Sequence, residues 1–150
     1  MQNLGILDNT YTIIRQIAQD LNGITYLVRN QNTNSEYTAL ISNNNNLFQN
    51  EVQMTALASG LNHPNIVHFI QSGIGNITNG NNIQNNQHYL ITDYYSKGSL
   101  LAYLMRGRFQ EKLAKFIFLK ILKGVEALHG AEICHRDLKL DNIYLDIEVN

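Results

Sequence analysis

The sequence is short of several things, and each shortage narrows what the protein can be. Cys134 is its one cysteine, so no disulfide can close within the chain, and a reducing compartment is expected, the cytoplasm first and the nucleus as the alternative. The formal net charge is −1, which gives no broad basic field to draw nucleic acid or an anionic membrane. No apolar run approaches a membrane span. The first residues, MQNLGILDNT, have neither the basic stretch nor the long apolar core of a signal peptide. His63, His68, His88 and His129 show no zinc-ligand spacing. There is no internal repeat and no linker composition inside the chain, and the first lysine is Lys97.

What is present suits one domain with a true core: 150 residues, 44% of them hydrophobic. Asparagine is abundant, and the run Asn43 to Asn46 and the region 76–86 read as solvated loops. Residues 11–17 (YTIIRQI) and 24–29 (ITYLVR) have strand composition, with a turn over 18–23. Residues 36–42 read as a third strand, with Tyr37, Ala39 and Ile41 on one face and Thr38, Leu40 and Ser42 on the other. A helix is expected over 47–61, with Leu47, Glu51, Met54, Leu57 and Leu61 at helical spacing, ended by His63-Pro64-Asn65. Then come a strand over 66–71, a long polar loop over 72–87, a fifth strand over 88–95 and a short helix from Ser99 to Met105. The longest helix spans 110–129; its segment Phe116 to Leu122 is apolar except for Lys120, so it calls for burial on nearly every side, and nothing left in the chain can cover it. The fold class is α+β: five strands with one helix after the third, then helices.

The most informative stretch is His135-Arg136-Asp137-Leu138-Lys139-Leu140-Asp141-Asn142. A hydroxyl nucleophile needs a carboxylate to orient it and take its proton, and Asp137 offers one. A transferring phosphoryl group needs nearby positive charge, within reach of Lys139. A Mg²⁺ ion takes an amide oxygen such as that of Asn142.

This stretch resembles the catalytic loop of the eukaryotic protein kinases. Lys139, two residues after the aspartate, looks like the branch directed at Ser and Thr. Support comes from HPNIV at 63–67, ITDYYSKGSL at 91–100 and ALHGAEICHRD at 127–137. The resemblance covers residues 11–146. It implies a kinase small lobe, a five-stranded antiparallel sheet with one helix and the hinge over 11–95, followed by the first helices of the large lobe over 96–150. It implies phosphoryl transfer from ATP with Mg²⁺ to a protein Ser or Thr, with Asp137 and Lys139 catalytic and Asn142 a metal ligand. It also implies nucleotide contacts at Gly23, Thr25, Ala39, Glu51, Thr92, Asp93, Tyr95 and Tyr144. Ser99 falls where the family often places a polar group for the ribose. His135 packs and Arg136 anchors in the family.

The departures are specific. Leu140-Asp141 stands where the family commonly has Pro-Glu. The glycines of the phosphate loop fall on Ala18, Asp20 and Gly23, so one of three survives; taken alone, 18–23 reads as an ordinary hairpin turn. Asp20 would bring a carboxylate to phosphate oxygens. The strand lysine falls on Ile41. Glu51 would be its partner or a plain solvated helix residue, and Met54 holds the usual offset. No D-F-G segment follows before residue 150. Weak or absent transfer is therefore expected from a kinase domain cut short after its catalytic loop. The alternative is a pseudokinase that binds a regulatory protein partner.

Overall fold

The computed structural model describes residues 4–42 and 45–146. In chain order the strands are β1 (Ile6–Leu7), β2 (Tyr11–Asp20), β3 (Gly23–Asn30), β4 (Glu36–Ser42), β5 (Phe69–Asn79) and β6 (Asn82–Asp93). The helices are α1 (Asn45–Ser59), α2 (Leu100–Leu104) and α3 (Glu111–Gly130), and a 3₁₀ turn covers Leu140–Asn142. Two units form: residues 1–59 with 67–94, and residues 60–66 with 95–150.

The first unit is a closed antiparallel barrel of six strands in the order β1-β2-β3-β4-β6-β5. That corrects the expected five-stranded sheet. The added strand, β1, pairs with β2 on one side and β5 on the other. Two residues cannot show a period, so β1 leaves no pattern, yet Leu7 is fully buried in the core. β2 slips register between Ile13 and Arg15 and again between Gln16 and Ala18, and such bulges bend a strand toward closure. The core is built from alternate residues of each strand, among them Tyr11, Ile13, Val28, Ala39, Ile41 and Ile91.

The turn expected over 18–23 shrinks to Leu21-Asn22, because β2 runs to Asp20 and β3 starts at Gly23. The Asp20 carboxylate holds the turn by accepting the N–H of Asn22 (2.8 Å) and of Gly23 (3.3 Å). The loop expected over 72–87 is instead the long hairpin of β5 and β6. Its inward positions include Gly73 and Gly75, so no apolar alternation shows. A Cβ at Gly75 would lie 2.7 Å from Asp8 Cβ, and one at Gly73 would lie 2.9 Å from Tyr89 Oη. Those neighbours fill the space that side chains would otherwise need.

Tyr89 donates its hydroxyl to Asp8 Oδ2 at 2.7 Å, which ties β6 to the segment after β1. Burial, then the Asp8 hydrogen bond, pushes the Tyr89 phenol up to about 12. The folded chain therefore keeps this proton where the unfolded chain loses it, so its stabilising share is complete below pH 10 and fades as pH rises toward 12. Tyr89→Phe is expected to cost about 1–2 kcal/mol at neutral pH. Denaturant melts at pH 8 and 11 should show the wild type losing that advantage at the higher pH.

β4 has the expected bounds. α1 is set two residues earlier than expected, at Asn45–Ser59 rather than 47–61. Of the Asn43–Asn46 run read as loop, Asn43 and Asn44 lie outside the described residues, and α1 begins at Asn45. The expected stripe of Leu47, Met54 and Leu57 is exposed. The anchor is Phe48, 2% exposed, whose ring meets the His88 ring edge-on at 5.6 Å. Phe48 sits one residue, about 100°, around the helix from Leu47, and that rotation decides which face docks.

In the second unit, Leu100, Ile117 and Leu145 form the buried centre. Ser99 caps α2 by accepting the N–H of Ala102 at 3.3 Å. Two backbone bonds, Leu100 N–H to Ile143 O (2.7 Å) and Leu145 N–H to Gly98 O (3.1 Å), fasten the chain after the 3₁₀ turn to the start of α2. The 63–65 turn seats on α3 at Gly124, where a Cβ would lie 3.0 Å from the Asn65 carbonyl oxygen. α3 keeps Phe116, Phe118, Leu119 and Leu122 exposed.

Candidate active site

The second unit carries the loop His135 to Asn142. It leaves α3 after Gly130, where the N–H groups of Ala131 and Ile133 both bond the Leu128 carbonyl oxygen. It is irregular up to Lys139 and ends in the 3₁₀ turn, whose Asn142 N–H bonds Lys139 O at 3.0 Å. Arg136 takes φ of +63°, which turns the chain so that Asp137 N–H reaches His135 Nδ1 at 3.3 Å.

Three side chains converge here. Asp137 Oδ2 receives Lys139 Nζ at 3.0 Å and Asn142 Nδ2 at 2.8 Å, and that same amide also bonds Asp137 O at 2.9 Å. The Lys139 and Asn142 hydrogen bonds hold the Asp137 carboxyl below the usual aspartate range, so it is anionic at neutral pH. With Nδ2 used, Asn142 offers its Oδ1 to a hard cation. The arrangement can accept a proton from a hydroxyl and can place one ammonium beside it. Replacing Lys139 by Met is expected to raise the Asp137 titration toward the ordinary range, as read from its side-chain carboxyl carbon by NMR. An unchanged titration would mean that the ammonium is not seated there.

Tyr95 and Tyr144, both expected at the base, meet in this unit with rings stacked at 6.2 Å and 25°. Ser99 pairs with Tyr144 in an isolated bridge.

The other expected site residues, Gly23, Thr25, Ala39, Glu51, Thr92 and Asp93, lie in the first unit. Cross-strand pairing shows which of them share a face. Thr25 pairs with Leu40, and Thr38 pairs with Thr92, so Thr25, Thr38, Leu40 and Thr92 stand on one side of the sheet. Ala39 pairs with Tyr26 and Ile91 on the other side, fully buried inside the barrel, and Ile41 joins it there. Thr25 and Ala39, both expected as nucleotide contacts, stand on opposite faces of the sheet. Thr38 and Leu40, which were not among the expected contacts, share the face of Thr25. The parity of the β3–β4 pairing was the signal, and it became readable only with the turn fixed at two residues.

Several groups that a nucleotide would use are engaged. Thr38 Oγ1 bonds the Asp93 carbonyl oxygen at 2.8 Å, and Asp93 N–H bonds His68 O at 3.2 Å. Gly23 has φ of +147°, and a Cβ there would overlap the Ile41 carbonyl oxygen. Arg15 donates to the Tyr94 hydroxyl (3.2 Å), and Arg29 pairs with Glu36 (2.8 Å). Those are the only lysine or arginine side chains in this unit. Leu40 and Ile41 present hydrocarbon to both faces of β4. Glu51 is half-buried on α1. These residues do not fit a triphosphate: one carboxylate already occupies the turn's N–H groups, and no ammonium is on hand. Among the described residues no cluster of three or more His, Cys, Asp or Glu could hold a metal ion.

One unit joins a carboxylate, an ammonium and an amide in the loop after a long helix, and the other is a curled antiparallel sheet bearing one helix. The family model for the protein kinase domain matches residues 11–150, and the chain belongs to the eukaryotic serine/threonine protein kinase family. Among its relatives, the serine/threonine-protein kinase SAPK5 of Oryza sativa subsp. japonica is 31% identical over 139 residues, 91% of this chain and 35% of the relative. SRK2J of Arabidopsis thaliana is 32% identical over 139 residues, 91% of this chain and 38% of the relative. SRK2I of Arabidopsis thaliana is 33% identical over 140 residues, 91% and 36%. The chain thus spans a little over a third of the length of the curated relatives it matches. Kinases of this family use ATP and Mg²⁺ and act on protein substrates. Among the described residues no helix is long and apolar enough to cross a membrane.

Proposed function

We propose that this chain is a degenerate protein-kinase domain, with its small lobe and hinge over 11–95 and the start of its large lobe over 96–150. In the family reaction Asp137 would orient the protein hydroxyl, Lys139 would steady the γ-phosphate and Asn142 would hold Mg²⁺. In this chain that transfer is weak or absent. The observation that carries the reading is the β4 strand, where Leu40 and Ile41 leave no cation on either face. The Asp20 turn supports it, because its carboxylate stands where phosphate oxygens would need N–H donors. A cytoplasmic location belongs to the same reading and rests on the free, exposed Cys134.

The second reading, a regulatory module that binds another protein, is favoured by the apolar surface of α3. The transfer test uses labelled Mg²⁺-ATP and a generic Ser/Thr protein such as casein. Wild type and Asp137→Asn are expected to give the same background, at least about 10³-fold below the roughly 1–100 s⁻¹ typical of kinases. Turnover by the wild type that Asp137→Asn abolishes would overturn the proposal.

A further inference from the structure

We propose that one mouth of the barrel is a binding site for a small uncharged molecule with a carboxamide edge. The cavity lies where β2 turns into β3, β4 ends and the β5–β6 hairpin nears its tip, and it encloses about 330 Å³. That is the small end of the ~300–1,000 Å³ usual for ligand sites. Every residue lining it belongs to the first unit, whose six strands close on one another within residues 6–93.

Two features set the ligand class. The first is polarity at inward positions. Gln84 pairs with Ile77 and Gln87 with Gly75, and both partners are buried. Paired residues share a face of the sheet, so both glutamines stand on its inward side. Three residues separate them on β6 against two between their partners on β5, so the register shift there inserts one extra residue. Asn86 takes φ of +56° within that bulge, and its N–H donates to Asn76 Oδ1 at 3.2 Å, which holds it. Bulges re-aim side chains in this way, and here the result is two carboxamides where a strand packed for stability alone would carry apolar groups. Gln87 Nε2 donates to the Asn85 carbonyl oxygen at 3.0 Å, which fixes that amide and leaves its Oε1 to accept.

The second feature is the want of charge: no residue lining the cavity carries one. Its floor is Tyr26, Ile41 and Ile77, with Ile41 and Ile77 buried. A carboxylate or ammonium entering here would lose water and gain no counter-ion, whereas a neutral amide loses less and meets groups that both donate and accept. A ring on such an amide rests on the apolar floor and covers Leu21, which stands 93% exposed at the rim.

The probe is benzamide, with benzoate and benzamidine as twins that put a negative and a positive charge on the same ring. Proton–nitrogen NMR of the whole labelled chain reads the binding. Benzamide is expected to move the side-chain amide signals of Gln84 and Gln87 and the backbone signal of Gly23, saturating with a Kd on the order of millimolar, as suits so few atoms. Both twins are expected to bind at least about tenfold more weakly. Gln84→Leu should weaken benzamide about threefold or more, and Gln84→Glu should hand the preference to benzamidine. Both should melt as the wild type does, since Gln84 is exposed at the mouth. Equal binding of the three compounds, no saturable shift with benzamide, shifts confined to other parts of the chain, or indifference to both Gln84 variants would each overturn the proposal. No nucleotide enters the readout, so failure here leaves the degenerate-kinase reading standing.

Discussion

Gly23→Ala is expected to destabilise the chain by about 3 kcal/mol or more, lowering the melting temperature by roughly 10 °C with no nucleotide present. Two physical causes act together. The φ of +147° lies where only glycine is comfortable, and an added Cβ would overlap the Ile41 carbonyl oxygen on the neighbouring strand. The paired backbones of β3 and β4 cannot part without breaking their ladder. The glycine is therefore needed for strand packing whether or not a phosphate ever approaches. Had its role been to admit a phosphate, the variant would keep its melting temperature and lose only nucleotide affinity. Thermal melts of wild type and variant in plain buffer separate the two.

Phe48→Ala is expected to cost about 3–5 kcal/mol, because it removes the buried ring that fixes α1 to the barrel. The ring is 2% exposed and lies edge-on to His88, so its loss leaves a cavity between helix and sheet. Leu47→Ala and Leu57→Ala, at half-exposed positions on the same helix, should each cost about 1 kcal/mol or less. Urea denaturation of the three variants checks the ordering. A large loss at Leu47 would mean that the helix docks by the stripe its spacing suggests. The outcome bears on the site, since α1 is the element that carries Glu51.

Much of this architecture was legible in the residues themselves. β4 reads with its true bounds because Glu36 to Ser42 alternates cleanly between core and opposite face. α3 reads to within a residue because its apolar pattern, unbroken by glycine or proline from 110 to 123, runs too long for a strand. The loop from His135 to Asn142 stands out because a carboxylate, an ammonium and an amide lie within six residues, and the structure joins Asp137, Lys139 and Asn142 directly.

The rest was hidden for physical reasons. β1 is two residues held by backbone bonds, and backbone bonds leave no trace in side-chain pattern. The β5–β6 hairpin has glycines at inward positions because Tyr89 and Asp8 occupy that volume, so its strongest signal belongs to residues elsewhere in the chain. The face shared by Thr25, Thr38, Leu40 and Thr92 depends on register, and register depends on the length of one turn. An expected turn of six residues became one of two because the Asp20 carboxylate closes it early. The same carboxylate occupies N–H groups that a phosphate would need, so one side chain explains the missed boundary and underlies the proposed weakness toward nucleotide.

The most direct measurement is calorimetric titration of Mg²⁺-ATP into the whole chain at low ionic strength. A barrel without an ammonium on β4, and with its turn capped from within, should show no saturable heat below about millimolar nucleotide, some 4 kcal/mol or less of binding free energy. Saturable binding with a micromolar Kd would show that the first unit holds phosphates by some other arrangement, and would contradict the account.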